Sequence, residues 1–271
     1  MKLACVQSNV EFGNAKANAD RAIARLRILK EDGVDLAIFP EAYLTGYCVG
    51  TAEEATAIAI GKTSEAVASL NAACQELDIL AVAGFAELEG NTIYNTAALF
   101  EPGKAPRFYR KTHLPELGLD KFVCAGQALP VFETRLGKIG ILICFDLRPP
   151  EATRVLALGG AELIVLPTNW PVGAEISAGY ISVARAAENR VFVATCNRVG
   201  DENGFTFIGQ SKIIDVTGKI LAAAGAVEEV IIGEVDLSIA REKRTVGIPG
   251  KYETEVFASR NPDLYGAIVQ R

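Results

Sequence analysis

Cys144 ends an apolar run, residues 139–143, and is followed closely by Pro149, Pro150 and Glu151. The run reads as a short strand buried on both faces. The prolines, with an acidic side chain behind them, read as a helix start. A cysteine on an apolar strand is most often a small core residue. At a strand-to-helix junction, however, backbone N–H groups and a positive helix end favour a thiolate and can hold an oxyanion. Glu41 stands just past another apolar run, 34–39, stopped by Pro40, and Lys111 lies near the end of a strand-like segment, 107–113. Strand ends are where α/β proteins gather reacting groups. Taken singly, such a glutamate, or a lysine beside Arg110, is ordinarily surface charge. His113 is the only histidine, which excludes zinc sites built on several imidazoles and leaves any histidine-dependent triad one possible base. Two residues from Lys111, it is expected to make a structural hydrogen bond.

The elements that must position these residues alternate. A strand over residues 1–7 leads to a helix carrying Ala19, Ala22, Ile23, Leu26 and Leu29 at three- and four-residue spacings and ended by Gly33. After the strand before Pro40, a second helix carries Ala66, Val67, Leu70, Ala73, Cys74 and Leu77, with Thr63 or Ser64 as its cap. Turns at Gly90 and at Pro102–Gly103 make a meander of 79–113. The second half repeats the scheme: a helix over 150–158, a strand over 163–166, a helix over 177–189, and strands over 191–196, 205–214 and 230–235. Gly33-Val-Asp-Leu-Ala-Ile-Phe-Pro40 matches Gly160-Ala-Glu-Leu-Ile-Val-Leu-Pro167 position for position. Two pseudo-equivalent halves follow, and with them two mixed sheets packed face to face under outer helices. A doubly wound single sheet is the alternative.

Of the 271 residues, half are hydrophobic, and the formal charge is −6. That balance supports neither a nucleic acid nor an anionic membrane as partner and favours a small molecule. The chain enters its first strand without a leader-like segment, and no apolar stretch is long enough to span a bilayer, so a cytoplasmic protein is expected. Six dispersed cysteines without a C-x-x-C pair read as free thiols. Phosphate-cradling glycine motifs are missing, and neither a cofactor nor a metal is called for.

Phe39-Pro-Glu41, Tyr109-Arg-Lys-Thr-His-Leu-Pro115 and Gly140-Ile-Leu-Ile-Cys-Phe-Asp146 resemble, in order, the three signature stretches of the nitrilase superfamily of carbon–nitrogen hydrolases. Leu166-Pro-Thr-Asn-Trp-Pro171, Ala184-Arg-Ala-Ala-Glu-Asn189, Asn197-Arg-Val-Gly200 and Asn261-Pro-Asp-Leu-Tyr265 extend the likeness to the tail. The resemblance implies an αββα sandwich over residues 1–271, with the tail from about 240 packing on a partner subunit of a homodimer or larger homo-oligomer. It implies Cys144 as nucleophile, Glu41 as general base and acid, and Lys111 as the stabiliser of a tetrahedral intermediate. The chemistry agrees: a thiol with pKa near about 8.5 needs a base to attack at neutral pH, and an ammonium lowers the cost of an oxyanion. The backbone N–H of Phe145 is a second candidate donor. Many members carry a further glutamate after the lysine; here Asp120 stands at that place, as an accessory group, and Glu116 is less well aligned. Asn169 and Trp170 match residues that line amidase pockets, the alternative being a tryptophan wedged into the core. Tyr43 and Tyr47 are candidate pocket walls.

Four functions compete. The expected one is hydrolysis of a small aliphatic amide to a carboxylic acid and ammonia through an acyl thioester. N-carbamoyl amine hydrolysis is its near alternative. A nitrilase fits less well, because Phe145-Asp146 replaces the Trp-Glu those enzymes typically show and no long C-terminal extension follows. A non-catalytic metabolite-binding protein on the same fold would have lost the cysteine, lysine or glutamate, and all three are present.

Overall fold

The computed structural model describes residues 1–270. The first half runs β1 (Lys2–Gln7), α1 (Ala15–Glu31), β2 (Leu36–Ile38), α2 (Ala52–Ile58), α3 (Glu65–Leu77), β3 (Leu80–Glu89), β4 (Thr92–Phe100) and β5 (Arg107–Arg110). The second runs β6 (Val131–Thr134), β7 (Gly137–Ile141), α4 (Pro150–Leu158), β8 (Leu163–Thr168), α5 (Ser182–Asn189), β9 (Phe192–Asn197), β10 (Val199–Glu202), β11 (Phe205–Ile208), β12 (Lys212–Ile214) and β13 (Ile220–Ala223). Then come β14 (Glu229–Glu234), β15 (Arg244–Ile248) and β16 (Tyr252–Glu255).

Two six-stranded sheets have the orders β14-β1-β2-β3-β4-β5 and β13-β12-β9-β8-β7-β6. Each centres on a parallel triplet, β1-β2-β3 or β7-β8-β9, continued by two antiparallel strands. The repeated Gly-to-Pro stretches are β2 and β8, the middle strands of the two triplets, so the internal echo is a structural pseudo-repeat. A single doubly wound sheet is excluded.

Why the central strands lack a polar face follows from their period of two. In β1, Ala4 and Val6 pack under α1 with Ala22, Leu26 and Leu29. Leu3 and Cys5 point the other way, into the continuous core shared with the second sheet. The Cys196 thiol of β9 donates to the Ile38 carbonyl of β2 at 3.0 Å across that gap. On the far side, Ala152 and Leu156 of α4 and Ala186 of α5 cover the second sheet. Each fully buried Leu or Ile here contributes roughly 1.5–3 kcal/mol. The four layers are thus helix, sheet, sheet, helix, as the resemblance implied.

Three details differ from the sequence reading. Residues 205–214 do not form one strand, because Gly209 and Gln210 both adopt positive φ (65° and 59°). β11 pairs with β10 in its own hairpin, while β12 joins β9. The helix read over 177–189 opens with a π turn, Ser177–Ile181, before α5. The polar tail from Ala240, broken by Pro249 and Pro262, carries no clear sequence pattern, yet it forms the β15–β16 hairpin. Its root docks on its own chain: Lys243 donates to the Arg190 carbonyl at 2.8 Å, and Arg154 of α4 lies over the Phe257 ring at 5.0 Å. Among the described residues no helix is long and apolar enough to cross a membrane.

Candidate active site

Glu41 is carried inward by a chain reversal that only a glycine partner permits. Beyond β2, Phe39 N–H donates to Val82 of β3 at 2.9 Å and Leu44 N–H to Gly84 at 3.0 Å. A Cβ on Gly84 would lie 2.4 Å from the Ala42 nitrogen and 3.0 Å from the Glu41 Cα. Ala42 itself takes φ of 48°. The carboxylate that results is buried.

Lys111 follows β5. Its N–H donates to the Asn95 carbonyl and its carbonyl accepts from Gly126 N–H, both at 2.8 Å. Gly126 also has no room for a side chain, since a Cβ would meet the Arg110 oxygen at 2.2 Å.

Cys144 follows β7 with φ of 47°, opening a tight turn, Cys144–Leu147. Asp146 secures that turn. One of its oxygens accepts from Ile143 N–H at 3.0 Å and the Tyr109 hydroxyl at 2.7 Å. The other accepts from His113 N–H at 2.9 Å and contacts His113 Nδ1 at 2.8 Å. The cysteine turn is therefore stapled to the segment bearing Lys111, and His113 has the structural bond expected of it. Helix α4 begins only at Pro150, so its N-terminus does not sit at the thiol. This corrects the expectation that the junction favours a thiolate at rest. Burial, with the Glu41 carboxylate adding, pushes the Cys144 thiol up to about 12; Lys111, Thr168 and the Asn169 N–H act against them. The resting group is a thiol.

Glu41 is held in a buried ion cluster. Lys111 Nζ donates to Glu41 Oε1 at 2.8 Å and Asp120 Oδ2 at 2.5 Å. Asn95 Nδ2 donates to Glu41 Oε1 and to Asp120 Oδ1, both at 2.8 Å. Burial raises the Glu41 carboxyl above its ordinary 4.5; Lys111 opposes the rise and Asp120 adds to it. Burial alone would lower the Lys111 ammonium, but Asp120 and Glu41 outweigh it and hold it well above its ordinary value. Glu41 Oε2 has no hydrogen-bond partner in the protein among the described residues.

The structure brings Glu41, Lys111, Asp120 and Cys144 together and distributes the other candidates around them. Tyr47 donates to Asp120 Oδ2 at 2.8 Å, backing the cluster. Asn169 Nδ2 donates to the Glu41 carbonyl at 2.9 Å. Trp170 is buried in the central core that includes Cys144, and its backbone N–H donates to Asn197 Oδ1 at 2.7 Å. Phe145 is the exposed member. Glu116 is exposed, whereas Asp120 is the carboxylate that reaches Lys111. Tyr43 is no wall of this site: it packs on Phe39 at 4.9 Å in the outer core beneath α1. Asn95 escaped the sequence reading. Its signal was the polar pair Asn95-Thr96 interrupting an otherwise apolar strand.

The chain resembles known proteins along nearly its whole length. A nitrilase from Pyrococcus abyssi is 33% identical over 267 residues, covering 98% of this chain and 99% of its own. The 2-oxoglutaramate amidase of Bacillus subtilis is 31% identical over 268 residues, covering 97% and 98%. The crystal structure of a carbon–nitrogen hydrolase from Helicobacter pylori G27 superposes with a TM-score of 0.87 at 23% identity, covering 100% of this chain and 99% of that one, a likeness of fold. The carbon-nitrogen hydrolase family profile matches residues 2–245. The chain belongs to the carbon–nitrogen hydrolase family, as an enzyme of the amidase-like branch of the nitrilase superfamily.

Proposed function

We propose that this enzyme cleaves a small aliphatic amide to a carboxylic acid and ammonia, with Cys144 as nucleophile. The observation that carries the reading is the buried Glu41 carboxylate, fixed through Oε1 by Lys111 while Oε2 stays unpartnered, beside a thiol that burial keeps protonated. Glu41 takes the Cys144 proton as sulfur attacks the carbonyl, and Lys111 with the Phe145 N–H stabilises the oxyanion. When the intermediate collapses, Glu41 returns the proton to the departing nitrogen and ammonia leaves an acyl thioester. Water activated by Glu41 then releases the acid. Asp120 holds Lys111 in place, and Tyr47, Asn169 and Trp170 shape the surroundings of the acyl group.

The decisive assay is kcat/KM for an amide, a nitrile and an N-carbamoyl amine sharing one chain, with ammonia and carbon dioxide followed separately. The amide should lead. A nitrile preferred over its amide would defeat the proposal, and stoichiometric carbon dioxide from the carbamoyl compound would move the assignment there.

We also propose a homodimer in which the tail and the turn before α5 meet a second copy. Tyr180 is 78% exposed and, on the tail, Ile248, Tyr252 and Leu264 are exposed apolar side chains in need of cover. Light scattering at micromolar concentration should give at least twice the chain mass; a monomer throughout would refute it. Its free thiols suit the cytoplasm. Recovery of the native protein only from an extracytoplasmic fraction would contradict that.

A further inference from the structure

The ion cluster is unbalanced in charge. Two carboxylates, Glu41 and Asp120, share one ammonium, Lys111, in a place with no exposure to solvent. An uncompensated buried charge is costly, so something else must make the second negative charge tolerable. Of the two carboxylates, Tyr47 donates to Asp120 alone, at 2.8 Å; Asn95 is the group placed to serve both. It is buried, and its Nδ2 lies 2.8 Å from both Glu41 Oε1 and Asp120 Oδ1. An amide nitrogen carries two hydrogens, one for each carboxylate. The side chain rises from β4, where Asn95 pairs in register with Ala86 of β3, and the Asn95 backbone carbonyl accepts the Lys111 backbone N–H at 2.8 Å. The donor is thus built on the same rigid backbone as the cation.

We propose that Asn95 is a positioning residue for the base: by bridging Glu41 and Asp120 it lets both carboxylates be ionised around a single lysine, with Glu41 held ready to accept the Cys144 proton. The proposal rests on the assignment of Glu41 and Cys144 made above and extends it to a side chain outside that set. The ionisable groups facing Glu41 are Lys111, Asp120, Cys144, Tyr47 and Cys48. Of these, only the lysine favours the Glu41 anion by charge. The Asn95 bond acts in the same direction. Asp120 acts against it. Removal of Asn95 and neutralisation of Asp120 should therefore move Glu41 in opposite directions, a signature that general loosening of the fold does not give.

The test reads Cys144 directly. Alkylation by iodoacetamide, located by peptide mass spectrometry, is measured from pH 4 to 9 for the wild type, Asn95→Ala, Asn95→Ser and Asp120→Asn, with thermal unfolding of each. In this reaction the S–C bond forms as iodide leaves, and the thiol proton passes to Glu41, so the acid limb follows Glu41. In Asn95→Ala the limb should move up by about one pH unit, the scale of one hydrogen bond to a charged group. In Asp120→Asn it should move down. Asn95→Ser carries the measurement if the alanine variant does not fold. An unmoved limb in a folded Asn95 variant, shifts of the same sign in both, or unfolding of both Asn95 variants would overturn the proposal. Amide turnover by the wild type is measured in parallel. Its absence would defeat the amidase proposal while leaving the alkylation result to decide the role of Asn95.

Discussion

Replacing Lys111 by methionine removes the cation but keeps most of the side chain's volume. Glu41 and Asp120 are then left buried and close together, with Asn95 Nδ2 as their shared donor. Breaking a buried ion pair from one side typically costs about 3–5 kcal/mol. At roughly 2–4 °C per kcal/mol for a domain of this size, Lys111→Met should melt about 10 °C below the wild type at pH 8. The deficit depends on pH with a definite sign. Without the lysine, Glu41 lies still further above its ordinary 4.5, so its folded-state affinity for a proton exceeds that of the unfolded chain. Stability held by protonation is therefore present below about pH 4.5 and lost as pH rises through the folded value. The melting difference should shrink toward acid pH and be complete at pH 8. Adding Asp120→Asn should restore much of the stability, because one of the unpaired charges has gone. Turnover should fall by about two to three orders of magnitude in the single variant, the cost of an oxyanion donor, and stay low in the double variant. Calorimetry across pH with steady-state ammonia release makes the test. A single variant that melts within about 2 °C of the wild type at pH 8, or keeps a tenth of its turnover, would refute the reasoning.

Among the six cysteines, Cys144→Ala alone should abolish turnover while leaving the melting temperature nearly unchanged, and intact mass during turnover should show an acyl adduct on the wild type only; activity surviving in Cys144→Ala would refute the nucleophile. Because burial raises Glu41, the acid limb of kcat/KM should lie above the ordinary carboxylate range, with activity lost as pH falls through it; a limb at or below 4.5 would contradict this. Asp146→Asn should destabilise by on the order of 3 kcal/mol, since several N–H and O–H donors lose a charged acceptor; denaturant unfolding within 0.5 kcal/mol, taken as about the size of a neutral surface change, would show the staple to be dispensable. Gly84→Ala should abolish activity by driving the Glu41 segment away from β3, and a fully active, equally stable variant would deny that close approach.

The sequence disclosed what local patterns can carry. Continuous apolar runs ending at Pro40 and at Cys144 gave the parallel strands and the positions of Glu41 and Cys144, and the repeated Gly-to-Pro stretch gave the two halves. What it hid depends on tertiary contacts. Tyr43 and Tyr47 look alike in the sequence, but the reversal at Ala42 sends one to the outer core and the other to Asp120. Asn95 is an ordinary strand residue until two carboxylates converge on it. The break after β11 follows from Gly209, where a Cβ would meet the Gly225 oxygen at 2.5 Å, an approach no local pattern reports. Burial of Lys111 likewise comes with contacts to Glu41, Asn95 and Asp120, which the neighbouring Arg110 disguises as surface charge.

Covalent catalysis is tested most directly by partitioning. A primary amide and its N-methyl analogue, sharing one acyl group, are hydrolysed in the presence of hydroxylamine, and the ratio of hydroxamate to acid is measured for each. If both pass through the same Cys144 acyl thioester, the ratio is identical for the two leaving groups and no hydroxamate forms with Cys144→Ala. Ratios that differ between the two substrates, or turnover that yields acid and never hydroxamate, would contradict a common acyl-enzyme.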